Sequence, residues 1–339
     1  MLRDRAVRTS AALFLAALAV MVPGVQADGP TARVDLGARV REGANTAAFS
    51  ADGAFCFTTA YGHPEADAEP ANKVYSIDTA TGTIVDEYPL SGLYPRQVAY
   101  SDASGFVAVR HAGATGDAAF IDILSTSGKD TNGDDVPDTP PGTFATLYSI
   151  PVPLGAWQDD GSEDFDRDAP ADDALDDLAF SADGNLLFYS NCLEVFAYDL
   201  TNAHYAPVDA VNSLVNPFAG ERITFFSYDA AHGFLSVGVS RNVEVLDDPD
   251  TSADEYQFLY ANARVVNVTV AADAASTLVS VVDLPAGDGV SEGSNVLIDE
   301  AGEFGYVVSV DSGTIYTFRV DTGAIKKTTI LDGFAARPN

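Results

Sequence analysis

One hexapeptide occurs twice without change. Ala48-Phe49-Ser50-Ala51-Asp52-Gly53 returns as Ala179-Phe180-Ser181-Ala182-Asp183-Gly184, and weaker copies stand at Ala99–Gly105, at Phe225–Asp229 with Gly233, and at Leu297–Gly302. A second run of β-forming residues follows each copy: Phe55 to Thr59, Phe106 to Arg110, Leu186 to Ser190, Phe234 to Val239 and Phe304 to Val310. A third run ends in Asp and a turn, as in Val74-Tyr75-Ser76-Ile77-Asp78-Thr79-Ala80-Thr81-Gly82 and Tyr316–Gly323, and a fourth follows at Thr83–Tyr88 and Ala324–Leu331. The Asp-Gly pair suits a hairpin turn that needs positive φ. Helical periodicity is nearly absent, and internal repetition of short strands points to a repeat architecture.

Four strands per repeat, joined by tight turns, make a propeller blade. The expected fold is therefore an all-β propeller with four antiparallel strands per blade. First-strand aromatics fall near positions 49, 100, 180 and 226, with Leu297-Ile298 in the last copy, and two of the gaps between copies, 80 and 72 residues, are wider than the others, 51 and 46. Strands at Phe144–Ile150 and Arg264–Val270 could start hidden blades there. Seven blades are expected, with six as the alternative.

The order Phe-Ser-Ala-Asp-Gly, β run, Val-Tyr-Ser-Ile-Asp-Thr-Ala-Thr-Gly, β run, Pro resembles the YVTN-type β-propeller repeat. It does so best over residues 46–105 and 294–331. That family is related in architecture to WD40 repeats and lactonase-like propellers. The resemblance implies an exported binding or cell-surface protein; a lactonase-like hydrolase or lyase, with its site at the channel mouth, is the alternative. No stretch matches a catalytic motif of the lactonase branch, so catalytic residues stay unassigned.

The first 27 residues form a separate unit. Arg3, Arg5 and Arg8 precede an apolar run, Ala11–Val22, and Val25-Gln26-Ala27 supplies the small-x-small pattern of a signal-peptide cleavage site. Residues 28–339 are then one propeller domain, exported to the periplasm, the cell surface or the medium, not inserted in a membrane and expected to be a monomer. Fifty Asp and Glu against 18 Lys and Arg give a net charge of −32. Such a field repels phosphate backbones and anionic lipid, which excludes nucleic acid, and suits cations or concentrated salt. The expected partner is a protein, a glycan or a small molecule.

Two acidic insertions, near 129–142 and 158–177, concentrate that charge. Asp130, Asn132, Asp134 and Asp138 place oxygen ligands at positions 1, 3, 5 and 9 of a loop, and Asp164, Asp166, Asp168 and Asp172 repeat the spacing. Alternate carboxylates in a tight loop converge on one point, as Ca²⁺ requires. The first loop resembles thrombospondin type-3 and dockerin-like calcium loops. Asp135 and Ala169 replace the usual Gly at position 6, and Pro141 and Leu175 replace the carboxylate at position 12.

On the propeller face formed by the second-to-third strand loops and the blade-to-blade connections, the repeat register places Tyr61, His63, Arg96, Arg110, His111 and Arg241. In a chain so poor in cations these are the candidate ligand-binding residues. Gly289–Gly293 fits Gly-x-Ser-x-Gly but lacks the strand-to-helix setting of a nucleophile elbow and reads as a loop. Cys56, between two Phe in a strand, reads as a small core residue. Asn267-Val268-Thr269 is a glycosylation pattern inside an expected strand.

Overall fold

The computed structural model describes residues 47–61, 72–112, 119–128, 139–152, 178–191, 193–216, 219, 221–246, 256–285, 295–309 and 312–331. Twenty strands there form five sheets of four, each an antiparallel meander in chain order. Blade 1 is β1 (Ala47–Phe49), β2 (Phe55–Tyr61), β3 (Asn72–Asp78) and β4 (Thr83–Pro89). Blade 2 is β5 (Leu93–Ser101), β6 (Phe106–Ala112), β7 (Ala119–Ser125) and β8 (Ala145–Pro151). Blade 3 is β9 (Leu178–Phe180), β10 (Leu186–Ser190), β11 (Val195–Asp199) and β12 (His204–Pro207). Blade 4 is β13 (Glu221–Asp229), β14 (Phe234–Leu246), β15 (Tyr256–Val270) and β16 (Ser276–Asp283), and blade 5 is β17 (Val296–Ile298), β18 (Phe304–Ser309), β19 (Thr314–Arg319) and β20 (Ile325–Ile330).

The turn that joins the first two strands of a blade satisfies its own polar groups, as at Ser50–Phe55. In blade 1 the Gly53 N–H donates to Ser50 O, the Ser50 hydroxyl donates to Asp52, and the Phe55 N–H donates back to Ser50 Oγ. Gly53 holds φ +69°, a region glycine enters without penalty. A second regularity lies between the third and fourth strands. The register slips by one residue there in four of the five sheets, at Ser76/Ile77, Ile123/Leu124, Asn267/Val268 and Thr317/Phe318. A bulge at that place strengthens the local twist.

The core is layered between blades. Phe57, Val74, Val107 and Phe144 fill the seam of blades 1 and 2, and Ile121, Ile123, Leu187 and Tyr189 that of blades 2 and 3. Phe188, Phe226, Val237 and Val266 join blades 3 and 4, and Phe225, Val282, Val307 and Phe318 join blades 4 and 5. Consecutive four-stranded meanders packed face against face are propeller blades, as the repeats predict. The strands nominated as hidden blades belong to visible ones instead: Phe144–Ile150 leads into and forms β8, the fourth strand of blade 2, and Arg264–Val270 is part of β15, the third strand of blade 4. A count of seven would need strands outside the described residues.

The wide gaps in the repeat have two sources. Nineteen residues separate β7 from β8, and 26 separate β8 from β9. In blade 4, β14 and β15 run 13 and 15 residues, and Asn242–Leu246 pairs with Tyr256–Tyr260 beyond the reach of β13 and β16, as a two-stranded ribbon. Asn267 lies in β15 with no exposed surface, and is hydrogen-bonded to Ser236 and Ser280, so the glycosylation pattern is a buried strand. Cys56 is a half-buried free thiol whose pKa burial pushes up. Among the described residues no helix is long and apolar enough to cross a membrane.

Candidate functional site

Of the six candidate ligand residues, Arg110 and His111 carry the most structure. They are neighbours on β6, so strand alternation sends them to opposite faces of blade 2. Arg110 is 2% exposed and donates from Nη1 to the Ser190 carbonyl of blade 3 at 2.9 Å. A guanidinium at that depth needs such acceptors to offset its lost hydration. Tyr189 lies in the same seam, where burial pushes its phenol well above the usual range and Arg110 pulls it part of the way back.

His111 turns the other way, toward the connection between blades 1 and 2. Its Nε2 is 3.1 Å from Asp122 Oδ2, on β7, and 3.4 Å from Ser91 Oγ, in the β4–β5 connection. Asp122 is the hub. It accepts the Ser91 hydroxyl and the Ser91 N–H, each at 3.0 Å, and takes a further bond from Ser149. Burial pushes its carboxyl up, but the hydrogen bonds from His111, Ser91 and Ser149 outweigh that and hold it at about 2. The carboxylate stays ionised because three neighbours solvate it in place of water.

Serine, histidine and aspartate in mutual contact invite comparison with a nucleophilic triad, and the geometry is unlike one. In a triad the histidine stands between the other two, carboxylate on one nitrogen and hydroxyl on the other. Here one nitrogen of His111 faces both, and the serine proton already points to the carboxylate. The cluster is a clamp that fixes the blade 1–2 connection onto blade 2. Asp122 and Ser91 were not among the candidate residues. The visible signal was a lone carboxylate inside the apolar strand Ala119-Phe120-Ile121-Asp122-Ile123-Leu124.

Arg241 is exposed on β14, opposite Glu221 in the ladder. Tyr61 closes β2, Arg96 stands in β5, and His63 lies outside the described residues. A polar cluster not read from the sequence sits on the same face in blade 4. Arg264 grips Glu221 with two bonds of 2.9 and 2.7 Å and also donates to the Leu214 carbonyl.

Both acidic loops, with Asp130, Asn132, Asp134 and Asp138 in one and Asp164, Asp166, Asp168 and Asp172 in the other, lie outside the described residues, as does Gly289–Gly293. Their anchor points are described. Gly142 N donates to Thr126 O at 2.8 Å, which closes the described ends of the β7–β8 connection on each other as a neck. The second departs from the opposite end of β8, toward β9. Among the described residues there is no group of three or more metal-type ligands.

No family model and no curated protein matches the chain. Solved structures do. The Dos1 propeller aligns with a TM-score of 0.50 at 13% identity, over 85% of this chain and 58% of its own length. A structural-genomics protein from Lactobacillus plantarum aligns at 0.50 and 12% identity, over 82% and 68%. The β-propeller domain of Cps50 (Swd1) from Myceliophteria thermophila aligns at 0.48 and 10% identity, over 84% and 73%. At these identities the likeness concerns fold. The likeness to the Dos1 propeller agrees with the blade topology that this chain is a β-propeller.

Proposed function

We propose that this chain is an exported, acidic propeller of the YVTN-repeat type that acts as a non-catalytic binding or cell-surface protein and is stabilised by calcium. The observation that carries the non-catalytic reading is the opposed placement of Arg110 and His111. Groups that serve acid–base chemistry must converge on a substrate atom. These two face different seams, and both are engaged in joining blade to blade. With Arg110 and His111 used as internal ties, the loops of the propeller are left for binding, with a protein, glycan or small molecule as ligand. The lactonase-like alternative needs titratable groups aimed at the channel mouth, for which His63, Arg96 and Tyr61 remain the residues to test.

Export follows from the leader pattern in residues 1–27, and secreted material is expected to begin at Asp28. Calcium follows from the oxygen spacing at Asp130–Asp138, supported by the closed neck at Thr126 and Gly142. A cation that binds only the folded state stabilises it by about 2.7 kcal/mol at a hundredfold excess over Kd. The departures at positions 6 and 12 of the loop put the affinity in the micromolar-to-millimolar range.

The deciding measurement is a pair of melting curves at fixed ionic strength, one with millimolar Ca²⁺ and one with EDTA. The chelated protein should melt lower, and Asp134→Ala should erase the difference. Identical curves would reduce the loop to a solvated insertion. Lactone hydrolysis by the wild type that His63→Ala abolishes would overturn the non-catalytic reading.

A further inference from the structure

At two junctions the turns that open neighbouring blades are tied by side chains, and the two ties differ in chemistry. Between blades 1 and 2, the Asp102 carboxylate accepts the Ala51 N–H at 2.8 Å. Between blades 4 and 5 the tie is an imidazole. His232, in the β13–β14 turn, places Nδ1 2.6 Å from Asp229 Oδ2 and Nε2 3.2 Å from the backbone carbonyl of Glu300, in the β17–β18 turn. The ring rests against Gly302, where an added Cβ would come within 2.8 Å of His232 Cδ2. That turn needs glycine twice over, since its φ is +68°.

Both oxygens that face the ring are acceptors. A carbonyl has no proton to give, and a carboxylate oxygen is likewise an acceptor. A neutral imidazole carries a single N–H and would leave one oxygen facing a nitrogen lone pair. Only the imidazolium satisfies both. The charges that act on the ring are acidic, Asp229 on its own turn and Asp299 on the turn of blade 5, while Glu303 of that turn faces Arg319 of β19. Asp299 is also occupied in capping that turn, accepting the Glu303 and Phe304 N–H groups at 2.7 and 3.0 Å.

We infer that His232 is a proton-operated latch between blades 4 and 5, closed while both ring nitrogens are protonated and released when one proton is lost. The hydrogen bond to Asp229 is the main cause that raises the His232 pKa; the Glu300 carbonyl and the charges of Asp229 and Asp299 add to it. A raised folded-state pKa means that the latch contributes its stability in full below about 6.5, the ordinary imidazole value. That stability is lost as pH rises through the folded value.

The test uses the full chain at fixed ionic strength. Proton NMR titration, with the His232 signal identified by its loss in His232→Gln, should give a midpoint above about 6.5. Asp229→Asn should move that midpoint down. The melting temperature of the wild type should fall between pH 6 and pH 9 by more than that of His232→Gln, so that the two converge at the alkaline end. A midpoint at or below the ordinary value, or an equal fall in both proteins, would overturn the latch. If His232→Gln fails to fold, the Asp229→Asn titration decides, because it keeps the ring and removes the charge that holds its proton.

Discussion

The two identical hexapeptides make a controlled comparison inside one chain. Their local structures agree closely. Ser50 and Ser181 donate to the following Asp at 2.7 and 2.6 Å, each accepts the N–H five residues on at 2.9 Å, and Gly53 and Gly184 hold φ at +69° and +71°. Their surroundings do not agree. Phe180 is 8% exposed, packed toward blade 2, whereas Phe49 is 60% exposed. Tyr100 and Phe226 behave like Phe180, each lying against the blade before its own. Blade 1 has no preceding blade among the described residues, and Phe49 accordingly lacks the seam that covers the other first-strand aromatics. A turn is a property of six residues; a seam is a property of two blades.

The largest expected effect separates the phenylalanines. Phe180→Ala should destabilise the protein by about 3–5 kcal/mol, as for other buried aromatics. Phe49→Ala should change stability by about 0.5 kcal/mol or less, as at an exposed site. Urea unfolding of both variants checks the pair, and equal losses would show that Phe49 is covered in solution.

The glycines should differ less. Either Gly→Ala change puts a Cβ on a left-handed residue, at about 1–2 kcal/mol. At Gly53 nothing lies within 4 Å of the new atom, but at Gly184 it meets Ser101 Oγ at 2.6 Å and Ser104 Cβ at 2.9 Å, across the blade 2–3 junction. That overpacking adds about 1–3 kcal/mol. The same unfolding experiment should therefore rank Gly184→Ala well below Gly53→Ala in stability.

The smallest difference is expected at the serines, whose bonds are local. Ser50→Ala and Ser181→Ala should each cost about 1 kcal/mol, and nearly the same amount. The serine hydroxyl is the main cause that holds the Asp52 and Asp183 carboxyls below their usual value. A depressed carboxylate stabilises the fold above its unfolded pKa, and that stability is lost as pH falls through the folded value. The gap between each variant and the wild type should then narrow below about pH 4. A gap that persists in acid would mean the serines act through packing.

Much of the fold was legible because its signals are short-range. The second strands of all five blades begin where the sequence places them, at Phe55, Phe106, Leu186, Phe234 and Phe304. The hidden blades misled for a physical reason. Spacing between repeats measures chain length, and an insertion or a lengthened hairpin such as β14–β15 lengthens the chain without adding a sheet.

The site was legible only in part. Arg110 and His111 stood out as rare basic residues at one register position, but the partners that give them their roles are distant in sequence: Ser190 is 80 residues from Arg110, and Ser91 is 31 from Asp122. Sequence by itself determined the opening turns, the first two strands of each blade and the four-strand grouping of blades 1 and 5, since hydrogen bonds within a hairpin span only a few residues. Tertiary structure decided what each blade face meets. That choice made Phe180 core and left Phe49 exposed, aimed Arg110 and His111 at different seams, and set His232 against a carbonyl of the next blade, because burial and charge depend on neighbours that no local pattern specifies.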